Sequence, residues 1–216
     1  MSDKYALIVG AGPGLGLAIA RRFGAESWKV ALFARSLENL GDLAKTLETE
    51  GIKTLVRSVD AADLPALTAA TREVISAWGA PEAVIYHGAA AVPNRPLDLP
   101  PAQFVRELTV NVVGAQLVAS VASESMPKGT ILFTGGGFAM YPNADMASLS
   151  AGKAALKNLA ESAAPDLAGR GIHLTVINIC GYVEPTGRFS TQTIAEKYWE
   201  IHTQARKDWA FEFNYV

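Results

Sequence analysis

The chain has 216 residues, 50% of them hydrophobic and 19% charged, with 19 Lys and Arg against 21 Asp and Glu for a net charge of −2. That length fits one domain over residues 1–216, and the near balance of charge gives no basic field for phosphate backbones or anionic lipid, so nucleic acid and membrane surfaces are not expected partners. A single cysteine, Cys180, forms no internal disulfide and no Cys-based zinc site, which excludes a stapled secreted scaffold and points to a reducing cytoplasm.

Lys4 followed by the apolar stretch from Tyr5 to Ala20 has the outline of a secretory signal, but Gly10, Gly12, Pro13, Gly14 and Gly16 would break an apolar helix. The stretch reads instead as strand Tyr5 to Val9, a glycine turn, and a helix from Leu15 to Ala25. Val30 to Ala34 is a second strand, and Ser36 caps a helix that runs to about Glu50, with Leu40, Leu43 and Leu47 on one face. Thr54 to Val59 is a third strand, and Asp63 caps a helix through Trp78 that closes at Gly79. After strand Val84 to Tyr86 and the proline-rich loop AVPNRPLDLPP comes a long helix from Ala102 to Glu124. Strand Ile131 to Thr134, a helix from Ser148 to Leu167, strand Ile172 to Ile179, a helix from Ile194 to Arg206 and a weak strand Phe211 to Tyr215 complete the chain. No other run of 18 apolar residues suggests a membrane span.

Strands separated by helices pair in parallel through right-handed crossovers. The expected fold is therefore α/β, a Rossmann-type doubly wound parallel sheet of about seven strands with helices on both faces. Such sheets bind ligands outside the carboxyl ends of their strands.

The turn GAGPGLG stands between the first strand and the first helix, with Gly10, Gly14 and Gly16 in GxxxGxG spacing and Gly12, Pro13 and Leu15 between them. Glycine lets the backbone approach a pyrophosphate, whose charge the amides and positive end of the helix stabilise; an empty structural turn is the alternative. Where an acid would hold a ribose 2′-hydroxyl, the chain has Ala34, Arg35 and Ser36. An arginine fork suits a 2′-phosphate, so NADP is expected over NAD, unless Arg35 is an ordinary solvated charge.

With these residues in view, the chain resembles the short-chain dehydrogenase/reductase family over nearly its whole length. Asp60 and Ala61 resemble the family's adenine contact, and YHGA from Tyr86 through Gly88 to Ala89 stands at its NNAG turn. Asn111 in NVVG and Lys153 in SAGKAAL match the asparagine and lysine of the catalytic set, and CGYVEPT, which includes Val183, stands where the family contacts the nicotinamide carboxamide. The resemblance implies a small-molecule carbonyl or alcohol substrate and a homodimer or homotetramer joined through the two long helices.

The departures bear on mechanism. Leu149 stands four residues before Lys153, where the family has its tyrosine, and Gly136 stands where it has its serine. Leucine exchanges no proton, and glycine offers only its amide. Tyr182, Tyr141, His87 or a water held by Asn111 and Lys153 could supply the proton. The two tyrosines could equally line an apolar pocket, and His87 could be a bonded turn residue. Ser148 and Ser150 flank the missing tyrosine but are poor acids. His173 and His202 have no partner at metal-ligand spacing, so no metal is expected. Trp199 and Trp209 are expected to pack the last elements. Three functions stay open: an NADP-dependent oxidoreductase with a non-standard proton donor, a non-catalytic NADP-binding sensor or subunit, and non-redox chemistry on the same fold.

Overall fold

Seven parallel strands form one sheet in the order β3-β2-β1-β4-β5-β6-β7 in a computed structural model that describes residues 3–216. The strands are β1 Tyr5–Val9, β2 Lys29–Ala34, β3 Thr54–Ser58, β4 Ala83–Tyr86, β5 Gly129–Thr134, β6 Ile172–Ile179 and β7 Glu212–Tyr215. The order reverses direction between β1 and β4, which puts the crevice for a ligand at their carboxyl ends.

Alternation along β1 divides the core in two. Ala6 and Ile8 pack on the side that also holds Ile19, Ile194 and Tyr198, while Tyr5, Leu7 and Val9 face Leu67, Val74, Val118 and Leu156. A strand buried on both faces calls for helices on both, because each fully buried Leu or Ile contributes about 1.5–3 kcal/mol. Helices α1 Leu15–Gly24, α2 Leu37–Thr49 and α7 Thr191–His202 supply the first face. Helices α3 Leu64–Trp78, α5 Gly114–Ser125 and α6 Ala147–Gly169 supply the second, with α4 Pro101–Leu108 leading into α5.

The caps follow the sequence at two helices. Ser36 Oγ accepts from Asn39 N at 3.2 Å, and Asp63 Oδ1 accepts from Ala66 N at 3.0 Å. Two elements differ from expectation. Helix α7 starts at Thr191 rather than Ile194, because Ser190 Oγ caps Thr193 N at 3.2 Å; it ends at His202, and Arg206–Asp208 forms a separate 3-10 turn. The long helix is continuous over Pro101–Ser125 but contains a π turn at Thr109–Val113 between α4 and α5. The Tyr86 hydroxyl donates to Val110 O at 2.5 Å inside that turn. By length and composition this helix could cross a membrane; here Ala115, Val118 and Ala122 are buried in the core.

Trp199 meets Phe23 and Trp28 edge to face at 5.2 and 5.6 Å and so ties α7 to α1 and the start of β2. Trp209 stacks on His173 at 4.8 Å, and His173 Nε2 bonds the Ala210 carbonyl at 3.0 Å just before β7. The loop from Cys180 to Arg188 is exposed except at its start, and both its ends meet one residue of β7. Cys180 N donates to Tyr215 O at 2.9 Å, and the Tyr215 hydroxyl donates to Arg188 O.

Candidate active site

The glycine turn is shaped by two close approaches. Gly10 has φ +89°, and a Cβ there would collide with the backbone of Gly88 in the loop after β4; its amide and that of Ala11 both donate to Phe33 O, at 2.8 and 2.9 Å. At Gly16 a Cβ would lie 3.0 Å from Ala11 Cα, so the first turn of α1 is drawn tight against the loop. Gly12 and Gly14 differ: nothing stands within 4 Å of where a Cβ would be. Pro13 and Gly14 are exposed while Leu15 is buried, and Gly14 caps α1 without a side-chain acceptor. The helix therefore presents its first amides to open space, which suits an anion.

The adenosine side lies over the ends of β2 and β3. Arg35 is exposed, and its carbonyl accepts from Ser58 Oγ at 2.9 Å. Ser36 spends its oxygen on the α2 cap. Asp60 Oδ1 accepts from Ala62 N at 2.9 Å and Oδ2 from Arg106 Nη2 at 2.7 Å. The Ala62 amide, then Arg106 and the Arg35 charge, hold the Asp60 carboxyl below the usual range against partial burial. Ala61 is half-buried beside it, and past β4 Gly88 is half-buried and Ala89 exposed.

At the other end, Lys153 is 8% exposed, and its Nζ donates to Thr134 O at 2.6 Å. Burial pushes its ammonium down to about 8. Thr134 Oγ1 joins His87 Nδ1 at 3.2 Å and the buried Tyr198 hydroxyl at 2.7 Å, a chain of three groups beneath the carboxyl ends of β4 and β5. Burial, then the Lys153 charge, pushes His87 down to about 4, so it is neutral at pH 7. Sequence reasoning named His87 but missed its connection to Thr134 and Tyr198; Tyr198 reads only as an apolar position on α7.

Asn111 is buried in the π turn. Its Oδ1 accepts from Ala90 N at 2.7 Å and its Nδ2 donates to Ala90 O at 3.3 Å, so both edges of the amide hold the loop after β4 rather than a water. One turn earlier, Glu107 does similar work at 4% exposure: it accepts from Ser148 Oγ, from Asn94 Nδ2 at 3.0 Å and from Gln103 Nε2 at 2.7 Å. In sequence Glu107 looks like a surface charge. Its place four residues before Asn111 on the same helix face was the signal available. Ser150 is occupied too, accepting from Asn143 N at 3.1 Å and donating to Met146 O at 2.9 Å.

Gly136 is extended at φ −177°, its amide donating to Asn178 Oδ1 at 3.3 Å, and Leu149 is buried at 8% exposure. Tyr141 and Tyr182 are 78% and 85% exposed, and Val183 is exposed beside Tyr182 on the loop tied to Tyr215. The arrangement thus brings Lys153, Thr134, His87 and Gly136 together and leaves Tyr141 and Tyr182 in solvent.

A glycine turn opening onto a helix N-terminus, at the switch point of a doubly wound parallel sheet, defines the Rossmann-type class of dinucleotide-binding folds. The chain matches the family model described as short chain dehydrogenase over residues 4–197, and it belongs to that family. It is 26% identical over 180 residues to a cis-4-hydroxycyclohexanecarboxylate dehydrogenase of Sinomonas cyclohexanicum, covering 82% of this chain and 72% of that one. It is 27% identical over 189 residues to a glucose 1-dehydrogenase of Gluconobacter oxydans, covering 85% and 71%. Among solved structures, a metagenomic short-chain oxidoreductase in complex with NADP superposes with TM-score 0.90 at 24% identity, over 100% of this chain and 98% of that one. A short chain dehydrogenase of Burkholderia cenocepacia in complex with NADP gives 0.90 at 23%, over 99% and 96%.

Proposed function

We propose that the chain binds NADP(H) in preference to NAD(H) and transfers hydride between it and a small carbonyl or alcohol substrate, the proton coming from a group other than residue 149. The observation that carries this reading is Arg35, exposed at the end of β2 where a ribose-binding acid would otherwise stand. The open space at Gly12 and Gly14 fits a dinucleotide, and the NADP in the two superposed structures supports the choice of cofactor. The amides of Gly12 to Gly16 would hold the pyrophosphate, Arg35 and Ser36 the 2′-phosphate, Asp60 and Ala61 the base, and Gly88, Ala89 and Lys153 the nicotinamide ribose, with Val183 at the carboxamide. When bound, the cofactor supplies or accepts the hydride. Lys153 holds a positive charge beside the reacting oxygen below its pKa of about 8, and His87, neutral, can offer it one N–H. Tyr182 reaches substrate only if its loop folds over the cleft. Asn111 acts by fixing Ala90 and the loop wall.

Calorimetric titration tests the cofactor choice. Native chain should bind NADPH more tightly than NADH, and Arg35→Ala should weaken NADPH by about 1–3 kcal/mol while barely changing NADH. Equal native affinities would remove the argument from Arg35. The buried Leu149 favours one further reading, a binding protein without turnover, and the exchange described in the Discussion separates the two.

The same reading includes self-association in the cytoplasm, the setting that suits a lone free thiol at Cys180. Ala147, Ala151 and Ala154 of α6 and Phe104 of α4 line an open apolar cavity of about 550 Å³ on the outer face of the long helices. A second copy packed by two-fold symmetry would cover it. Light scattering at micromolar concentration should give a dimer or tetramer, and Ala151→Glu should shift it towards monomer.

A further inference from the structure

Arg106 has no part in the core, yet it reaches across to the ligand edge of the sheet. It lies in the last turn of α4 with a side chain 58% exposed, and its Nη2 meets Asp60 Oδ2 at 2.7 Å. The Ala62 amide holds the other oxygen, Oδ1, at 2.9 Å. The carboxylate is thus gripped at both oxygens, once from its own loop and once from a helix far along the chain. An ionised carboxylate can accept about four hydrogen bonds, so each oxygen keeps acceptor capacity.

Asp60 follows β3 directly, next to Val59, whose amide donates to Ala34 O at 2.9 Å. The ends of β2 and β3 lie on the adenosine side of the switch point between β1 and β4. An exposed ion pair adds little to folding stability, so what Arg106 contributes here is orientation: with both oxygens fixed, the carboxylate plane cannot rotate. A fixed acceptor welcomes an exocyclic amine and repels a carbonyl oxygen. A site built to pair one group discriminates strongly against the analogue that cannot pair.

We propose that Arg106 is a specificity-determining positioning residue, which locks the Asp60 carboxylate to accept the 6-amino group of adenine and so admits adenine dinucleotides over their 6-oxopurine counterparts. The proposal rests on the reading that the cleft holds NADP(H). It adds a role that a simple counter-charge would not fill, because Arg35 already serves the phosphate.

The test is a fluorescence titration of native, Arg106→Gln, Arg106→Lys and Asp60→Asn chains with NADPH, NADH and the hypoxanthine analogues of both. The native chain should prefer adenine. Arg106→Gln should weaken NADPH and NADH alike by about 5- to 20-fold and leave the hypoxanthine forms within about twofold, collapsing the base preference. Asp60→Asn should collapse it too, and Arg106→Lys should keep part of it. A loss confined to NADPH and its hypoxanthine analogue would make Arg106 a phosphate counter-charge and overturn the proposal. So would an equal loss for all four ligands, or none. Absence of binding by the native chain to any dinucleotide would overturn the NADP(H) reading itself, a result distinct from every outcome that concerns Arg106 alone.

Discussion

A chain carrying Leu149→Tyr and Gly136→Ser together should reduce aldehydes, ketones or quinones with NADPH about 10²- to 10⁴-fold faster than the native chain, the range that general acid catalysis contributes. The backbone accepts both changes. Gly136 is extended, and a Cβ there would lie 3.8 Å from Ile179 O and 3.9 Å from Lys153 Cε, ordinary contacts that leave a serine unstrained. Residue 149 lies one helical turn before Lys153, so a phenol there shares its face of α6, and the ammonium would lower the phenol's pKa. The measurement is the rate of NADPH consumption over a panel of carbonyls. A gain in this range means that the native site lacks only its acid, which favours a binding role for the native chain. If the native chain is already fast and the exchange adds nothing, the proton comes from elsewhere. Loss of turnover in Tyr182→Phe or in His87→Ala then identifies the source.

Lys153→Met should make the ligand-free protein more stable while destroying its hold on NADPH. The ammonium is buried, and its pKa falls from 10.5 to about 8 on folding. A lysine whose folded pKa lies below its unfolded value costs stability in full below pH 8, and the cost is relieved as pH rises from 8 to 10.5. At pH 7 that cost is about 3 kcal/mol, from which the lost bond to Thr134 O subtracts about 1. Urea unfolding at pH 7 should therefore show a gain of roughly 1–3 kcal/mol for the variant, shrinking to nothing by about pH 10. A variant less stable than native at pH 7 would mean that the Thr134 bond outweighs the buried charge.

Much of the fold was legible because local chemistry and tertiary structure agree. Ser36 and Asp63 cap where polar residues precede apolar helical spacing, and glycine stands where the turn after β1 needs φ +89°. The start of α7 was misread because the apolar pattern begins at Ile194, whereas the cap is Ser190, one turn earlier. The π turn was not legible at all. Its cause is a hydroxyl from β4 seeking Val110 O, a contact between residues 24 apart that no local pattern records. In the candidate site, spacing identified Lys153, Asn111 and the glycines, since those positions hang on local motifs. What it missed is partnership. That Asn111 is filled by Ala90, that Glu107 is buried against Ser148, and that His87 joins Thr134 and Tyr198 all depend on how the ends of β4, β5 and the long helices meet.

Tyr215 gives the loop from Cys180 to Arg188 a particular mechanical character. Backbone oxygen and side-chain hydroxyl of one residue fasten the two feet of the loop side by side, so the segment between them is a flap on a single pin. Closing the base in this way spends the loop-closure entropy once, at folding, instead of at each visit of a ligand. Tyr182 and Val183 can then sweep from solvent to the cleft mouth without parting any strand pair, and the tempo of opening is set by the flap's own backbone. Because the pin belongs to β7, the last strand of the sheet, a change at the far edge of the molecule would be felt first as a change in how long the cleft stays shut.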